Sequence, residues 1–168
     1  HYIQFNKSFY EACSNVQNQF KKSALTLFGV KPNNPSTEYG YISMIPSSNN
    51  LKIINSFIEK PVLEKAKLMV KQPNTLWNAG IFCFEGKWFS KSIESKFPNM
   101  YSIMMDILSV ENHKQLYFYP SKEKFSKLED VSFDKAFVES NEDNYVAHLE
   151  AGWTDLGSWH SLIKLQKD

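Results

Sequence analysis

The chain has 168 residues, is 42% hydrophobic and 15% aromatic, and carries a formal net charge of +1, enough apolar material for one domain with a real core or a large part of one. All 19 basic residues are lysine, which argues against nucleic-acid readout, where the bidentate guanidinium carries most base and phosphate contacts. No apolar run approaches the roughly 20 residues of a membrane span, and no signal-peptide pattern opens the chain.

Phe5, Phe9, Cys13, Val16 and Phe20 recur every three or four residues, which predicts an amphipathic helix ending near Lys21-Lys22. The apolar run 24–30 reads as a buried strand, followed by a loop over 31–38. Gly40 stands between Tyr39 and Tyr41, where it permits a bulge or the close approach of a ligand to bare backbone. A turn at Ser47-Ser48-Asn49-Asn50 and a strand from Lys52 to Ile58 make a hairpin. Glu59 and Lys60 then sit at a strand-to-helix junction, with Pro61 at the first helical position. A carboxylate there accepts hydroxyls and an ammonium neutralises a phosphate; a solvated ion pair at a turn is the plainer alternative.

Residues 81–84 read as a central strand. Asn78, before Ala79 and Gly80, offers an amide beside uncrowded backbone, suited either to a polar ligand such as a sugar or to a turn. Helices are expected over about 87–97, stopped by Pro98, and on a face made by Met100, Ile103, Met104, Ile107 and Leu108, which reads as core. His113 falls in a polar loop, and 122–128 is a weak basic helix. Ser132 or Asp134 caps a short helix or faces a ligand. Cys13 and Cys83 lie on apolar patterns and have no metal-type spacing, so they read as reduced core thiols of a cytoplasmic protein without a zinc site.

The chain converges on Gly152-Trp153-Thr154-Asp155-Leu156-Gly157-Ser158-Trp159. A strand over 145–150 delivers Asp155 to a loop, the place where α/β sheets bind ligands, and Ser158 caps a helix running to Leu165. A carboxylate so placed suits a hard cation such as Mg²⁺; a structural turn among aromatics explains the same residues.

In order, Phe28-Gly29-Val30-Lys31-Pro32, Glu38-Tyr39-Gly40-Tyr41-Ile42, Phe57-Ile58-Glu59-Lys60-Pro61, Leu76-Trp77-Asn78-Ala79-Gly80-Ile81-Phe82, Ser132-Phe133-Asp134-Lys135-Ala136 and the Asp155 octapeptide resemble the sugar-nucleotide pyrophosphorylases. Within that family the resemblance is to the mannose-1-phosphate guanylyltransferases of the bacterial long type, and it covers nearly the whole chain. It implies an α/β fold, a Rossmann-like mixed sheet truncated at its N-terminal side. It also implies a Mg²⁺-dependent attack of mannose 1-phosphate on GTP, giving GDP-mannose and pyrophosphate.

Residue by residue, the resemblance makes Asp155 a catalytic, metal-binding carboxylate and Glu59 and Asn78 sugar ligands. Lys60 becomes the cation beside the sugar phosphate, Gly40 the backbone contact under the sugar, and Asp134 a carboxylate near the same pocket. Lys135 and Phe137 depart from the family's pattern. So does the beginning of the chain: His1-Tyr2-Ile3 resembles the sequence just after the family's other metal-binding Asp, and the glycine-rich nucleotide loop is missing.

Residues 1–168 are therefore expected to be the sugar-phosphate side of a catalytic domain without its nucleotide side, inactive alone. A sheet so truncated is expected to expose an edge, favouring a homo-oligomer or strand exchange. Two other readings stay open: a pyrophosphorylase for another sugar phosphate or nucleotide, and a non-catalytic sugar-phosphate-binding module.

Overall fold

The computed structural model describes residues 1–19, 24–109, 119–139 and 144–165. Phe20, Lys21, Lys22 and His113 lie outside them. The chain divides into two compact units, His1–Phe84 with Phe133–Asp168, and Glu85–Ser132.

The first unit is built on a mixed sheet. In chain order it holds β1 (Tyr2–Ile3), α1 (Asn6–Gln19), β2 (Thr26–Val30), β3 (Tyr41–Met44), β4 (Leu51–Ile58), α2 (Leu63–Val70) and β5 (Thr75–Cys83). After the second unit come a π-helical turn (Asp134–Val138), β6 (Tyr145–His148), β7 (Trp153–Thr154) and α6 (Trp159–Leu165). Five strands close into a ring in the order β2-β5-β3-β4-β6. Every pairing in it is antiparallel except β2 with β6. β1 pairs separately with β7, Ile3 opposite Trp153.

Within the ring each described strand has a neighbour on both sides, so the expected open edge is not found there; β1 and β7 form a two-stranded sheet of their own. The seam is β4 on β6, with Lys52 opposite Val146.

The run 24–30 is buried as expected, with Leu25, Thr26 and Leu27 at 0% exposure. Gly29 is required there, because a Cβ would lie 2.7 Å from Leu76 Cδ1 and 3.0 Å from Val146 Cγ2. Phe28, Leu51, Ala147, Leu149 and Trp153 form one core cluster, against which Phe9 and Cys13 of α1 pack. A second cluster joins Tyr41, Trp77, Ala66 and Met69, seating α2 on the sheet.

Two sequence expectations need correction here. α2 starts at Leu63, after an extended Val62, and not at Pro61. Lys60 adopts φ +42, a left-handed turn that carries the chain out of β4 before the helix begins. Residues 75–83 are one continuous strand, and its fully buried part is 75–79, not 81–84. Its register against β2 slips between Gly29↔Asn78 and Leu27↔Phe82, and the extra residues are absorbed by Gly80 at φ +65, a conformation open to glycine without steric cost.

The N-cap position of the π-helical turn is Phe133, which makes no side-chain cap bond, and the Phe133 ring packs on Phe82, Phe84 and Phe137. At the far end, buried Asn144 donates to the Phe137 and Val138 carbonyls at 3.0 and 3.2 Å, which satisfies part of the turn's free C-terminus.

The second unit contains α3 (Gly86–Lys96), α4 (Pro98–Ser109) and α5 (Lys122–Phe125). Ile93 and Ile107 are its buried aliphatics, and Lys124 pairs with Asp106 at 2.8 Å. The α4 face is only partly core: Leu108 is 43% exposed. Among the described residues, no helix is long and apolar enough to cross a membrane.

Candidate functional site

Strand ends gather most of the residues singled out in the sequence. Gly40 precedes β3, and Glu59 and Lys60 follow β4, its hairpin partner, with Tyr41 opposite Ile58. Asn78 lies on β5, the other neighbour of β3, and its backbone N–H donates to the Gly40 carbonyl at 2.7 Å. A Cβ on Gly40 would lie 2.7 Å from Glu59 Oε2 and 2.6 Å from Phe57 Cζ. The bare backbone of Gly40 is thus what lets the Glu59 carboxylate fold over this point.

Asn78 has both ends of its amide engaged. Nδ2 donates to Asp134 Oδ1 at 2.8 Å, and Oδ1 accepts the Gly80 N–H at 3.1 Å. The β5 bulge therefore sets the rotamer of Asn78, and Asn78 sets that of Asp134. Lys60 Nζ stands 3.5 Å from Glu59 Oε1.

The electrostatics follow from this crowding. Burial, then the neighbouring Asp134 charge, pushes the Glu59 carboxyl above its ordinary value, and Lys60 pulls against both. Burial likewise raises Asp134, opposed by its own backbone N–H, by Asn78 and by Lys60. Two carboxylates near one ammonium and one amide offer several acceptors together, suited to hydroxyl groups next to a single negative charge.

Asp155 follows β7 and is not hydrogen-bonded to this cluster. It faces a cleft of about 320 Å³ that Lys60 also lines, together with Thr37, Glu38, Ser158 and Ser161. Its Oδ2 accepts the Gly157 N–H at 3.3 Å, and its Oδ1 lies 3.4 Å from His1 Nδ1. The β1–β7 pairing brings His1 there. Ser158 caps α6 as expected, its Oγ accepting the Ser161 N–H at 3.2 Å.

No group of three or more His, Cys, Asp and Glu side chains able to hold a metal occurs among the described residues. The Asp155 carboxylate, with Glu38 lining the same cleft, suits Mg²⁺, which takes its other ligands from water and substrate phosphates.

Sequence reasoning missed an aromatic column beside Asp155. The Tyr39 ring packs edge-on to both Trp77 and Trp153, at 5.0 and 5.4 Å, and His1 continues the column at 5.7 Å from Trp153. Burial, then Asp155 and then Glu38, raises the Tyr39 phenol. These rings come from four distant segments. Local periodicity carries no signal of their meeting.

The chain shares the architecture of nucleotidyltransferase-type α/β structures. A solved mannose-1-phosphate geranyltransferase from Thermus thermophilus superposes with TM-score 0.83 at 22% identity, over 99% of this chain and 47% of that one. A mannose-6-phosphate isomerase from Helicobacter pylori superposes with TM-score 0.77 at 28% identity, over 92% and 61%. The sequence profile of the nucleotidyl transferase family matches residues 1–168, and the chain belongs to that family.

Mannose-1-phosphate guanylyltransferase 2 of Escherichia coli O157:H7 is 29% identical over 170 residues, which cover 96% of this chain and 35% of the relative. The alginate biosynthesis protein AlgA of Pseudomonas syringae pv. tomato is 30% identical over 167 residues, covering 96% and 34%. The chain thus spans about a third of the length of the curated relatives it matches.

Proposed function

We propose that this chain is the sugar-phosphate-binding part of a cytoplasmic nucleotidyltransferase that makes GDP-mannose and pyrophosphate from mannose 1-phosphate and GTP. The observation that carries this reading is the sharing of Lys60: its ammonium contacts Glu59 in the carboxylate cluster and lines the cleft of Asp155. A sugar held by its hydroxyls on Glu59, Asn78 and Asp134, over the Gly40 backbone, would present its phosphate to Lys60 on the side of Asp155. GTP as the nucleotide is supported by relatives named mannose-1-phosphate guanylyltransferases, and the free thiols Cys13 and Cys83 suit a reducing compartment.

In the reaction, a phosphate oxygen of the sugar phosphate bonds to the α-phosphorus of GTP while the bond from that phosphorus to the bridging oxygen breaks, and pyrophosphate leaves. The chain's residues position and neutralise; no covalent enzyme step is needed. Lys60 offsets the charge of the incoming phosphate, and the carboxylates fix the rotation of the sugar ring. Asp155 would hold Mg²⁺, which when bound offsets the charge building on the phosphates.

The test is pyrophosphate release by the full-length protein given GTP, mannose 1-phosphate and Mg²⁺, beside its Asp155→Asn variant. The variant is expected to lose at least about 100-fold in rate, the scale of removing an electrostatic stabiliser of the transition state. A nucleotide and sugar-phosphate panel decides the specificity. Silence with every combination would leave a binding module on a shared fold.

A further inference from the structure

A second polar cleft, of about 270 Å³, opens between α1, the 47–50 turn and the adjoining ends of β4 and β6; Asn15, Ser47, Asn49, Asn50, Lys52 and His148 line it. It shares no lining residue with the cleft of Lys60 and Asp155. Four separate elements bring donors to one space: an amide from α1, hydroxyls and amides from the turn, and basic groups from β4 and β6. The turn is itself organised, with Ser47 Oγ accepting the Asn49 N–H at 3.3 Å.

The charges around this cleft are unbalanced. Lys52 lines it, and Lys31 follows β2, whose Gly29 is the register partner of His148. Neither lysine takes part in an ion pair among the described residues. Among the described residues, the acid paired with the imidazole is Glu150, 3.3 Å from Nδ1, and its side chain is 81% exposed. Burial holds His148 below its ordinary value; Glu150 opposes this, and Lys52 and Lys31 reinforce it. An imidazole lining a cleft beside the Lys52 ammonium is relieved by an anion that both can face. Donors converging from four elements suit a tetrahedral dianion, with its several acceptor oxygens, better than a carboxylate.

We propose that this cleft binds a phosphate group, free or as a small phosphate monoester, through Lys52 and His148, with the 47–50 turn supplying further donors. The volume lies at the small end of ligand sites, room for one phosphate and a compact substituent. The site is separate from the one assigned to the sugar phosphate and does not depend on that reading.

The experiment is an NMR titration of the isotope-labelled chain carrying Lys60→Ala, which weakens the first site while leaving this cleft intact. Inorganic phosphate is added at constant ionic strength, with chloride as the control. Saturable shifts of the His148 ring signals and of the 47–50 amides are expected, and Lys52→Gln should weaken the phosphate affinity by about tenfold, the worth of one charge-assisted hydrogen bond. His148→Gln serves as the second variant should Lys52→Gln perturb the turn. A parallel titration with mannose 1-phosphate separates the two sources: tighter binding than inorganic phosphate assigns a monoester, and equal or weaker binding assigns the free ion. Shifts that do not saturate, that chloride reproduces, or that survive both substitutions would overturn the proposal.

Discussion

Asp134 carries a cost that its surroundings only partly offset. Its carboxylate is withdrawn from water, and although Asn78, Lys60 and its own backbone N–H favour the charged form, burial prevails and the folded-state value is raised. A carboxyl whose value is raised on folding leaves stability intact below its unfolded value, and stability falls as pH climbs through the folded one. Asp134→Asn is therefore expected to gain on the wild type as pH rises from about 4, near the unfolded value, towards neutrality. Urea melts at both ends of that range measure the gap; a gap independent of pH would show that the carboxylate is fully solvated. The strain at Lys60 belongs to the same scale: its φ of +42 is a left-handed conformation that costs a non-glycine residue about 1–3 kcal/mol, held where the chain turns out of β4.

At the scale of elements, β2 packs more tightly than its backbone needs. Thr26 is at 0% exposure, and its hydroxyl finds no hydrogen-bond partner. Valine keeps the shape and β-branching while removing a desolvated oxygen. Thr26→Val should stabilise the fold by about 1 kcal/mol, read as a shift in the denaturant midpoint without a change in slope. A loss of stability would mean that a buried water serves the hydroxyl. The β5 bulge works differently: Gly80 adds nothing to packing, yet its φ of +65 and its N–H to Asn78 turn a plain strand into a mount for the amide that orients Asp134.

For the whole molecule, closure of the sheet is the feature with the widest consequence. The Ile54 N–H donates to the Asn144 carbonyl across the β4–β6 seam at 2.9 Å, and the Tyr145 N–H donates to the Leu25 carbonyl on the other flank of β6 at 2.8 Å. Both amides should exchange slowly with solvent deuterium, with protection approaching that of global unfolding. Fast exchange at Ile54 beside slow exchange at Tyr145 would mean that the ring opens along the seam and that β4 behaves as an edge.

Much of this was legible in the residues. The helical spacing of Phe9, Cys13 and Val16, the apolar block of β2, the hairpin turn at 47–50 and the Ser158 cap are local signals. Backbone propensity and periodicity act within a few residues, and the structure carries all four. The ordered motifs around Gly40, Glu59, Asn78 and Asp155 were enough to indicate the nucleotidyl transferase family. What escaped was decided by long-range packing. Asn78 was open to a turn reading as well as a ligand one because nothing nearby reveals that β5 runs on through a glycine bulge. The carboxylate pair of Glu59 and Asp134 needs two segments 75 residues apart in number to meet, and the Tyr39–Trp77–Trp153 column needs three. The sequence by itself determined most of the elements and the family, since these depend on local patterns. The tertiary structure alone decided the ring closure, the partner of each polar group and the charge balance of the two clefts, because these depend on which distant side chains exclude water from one another.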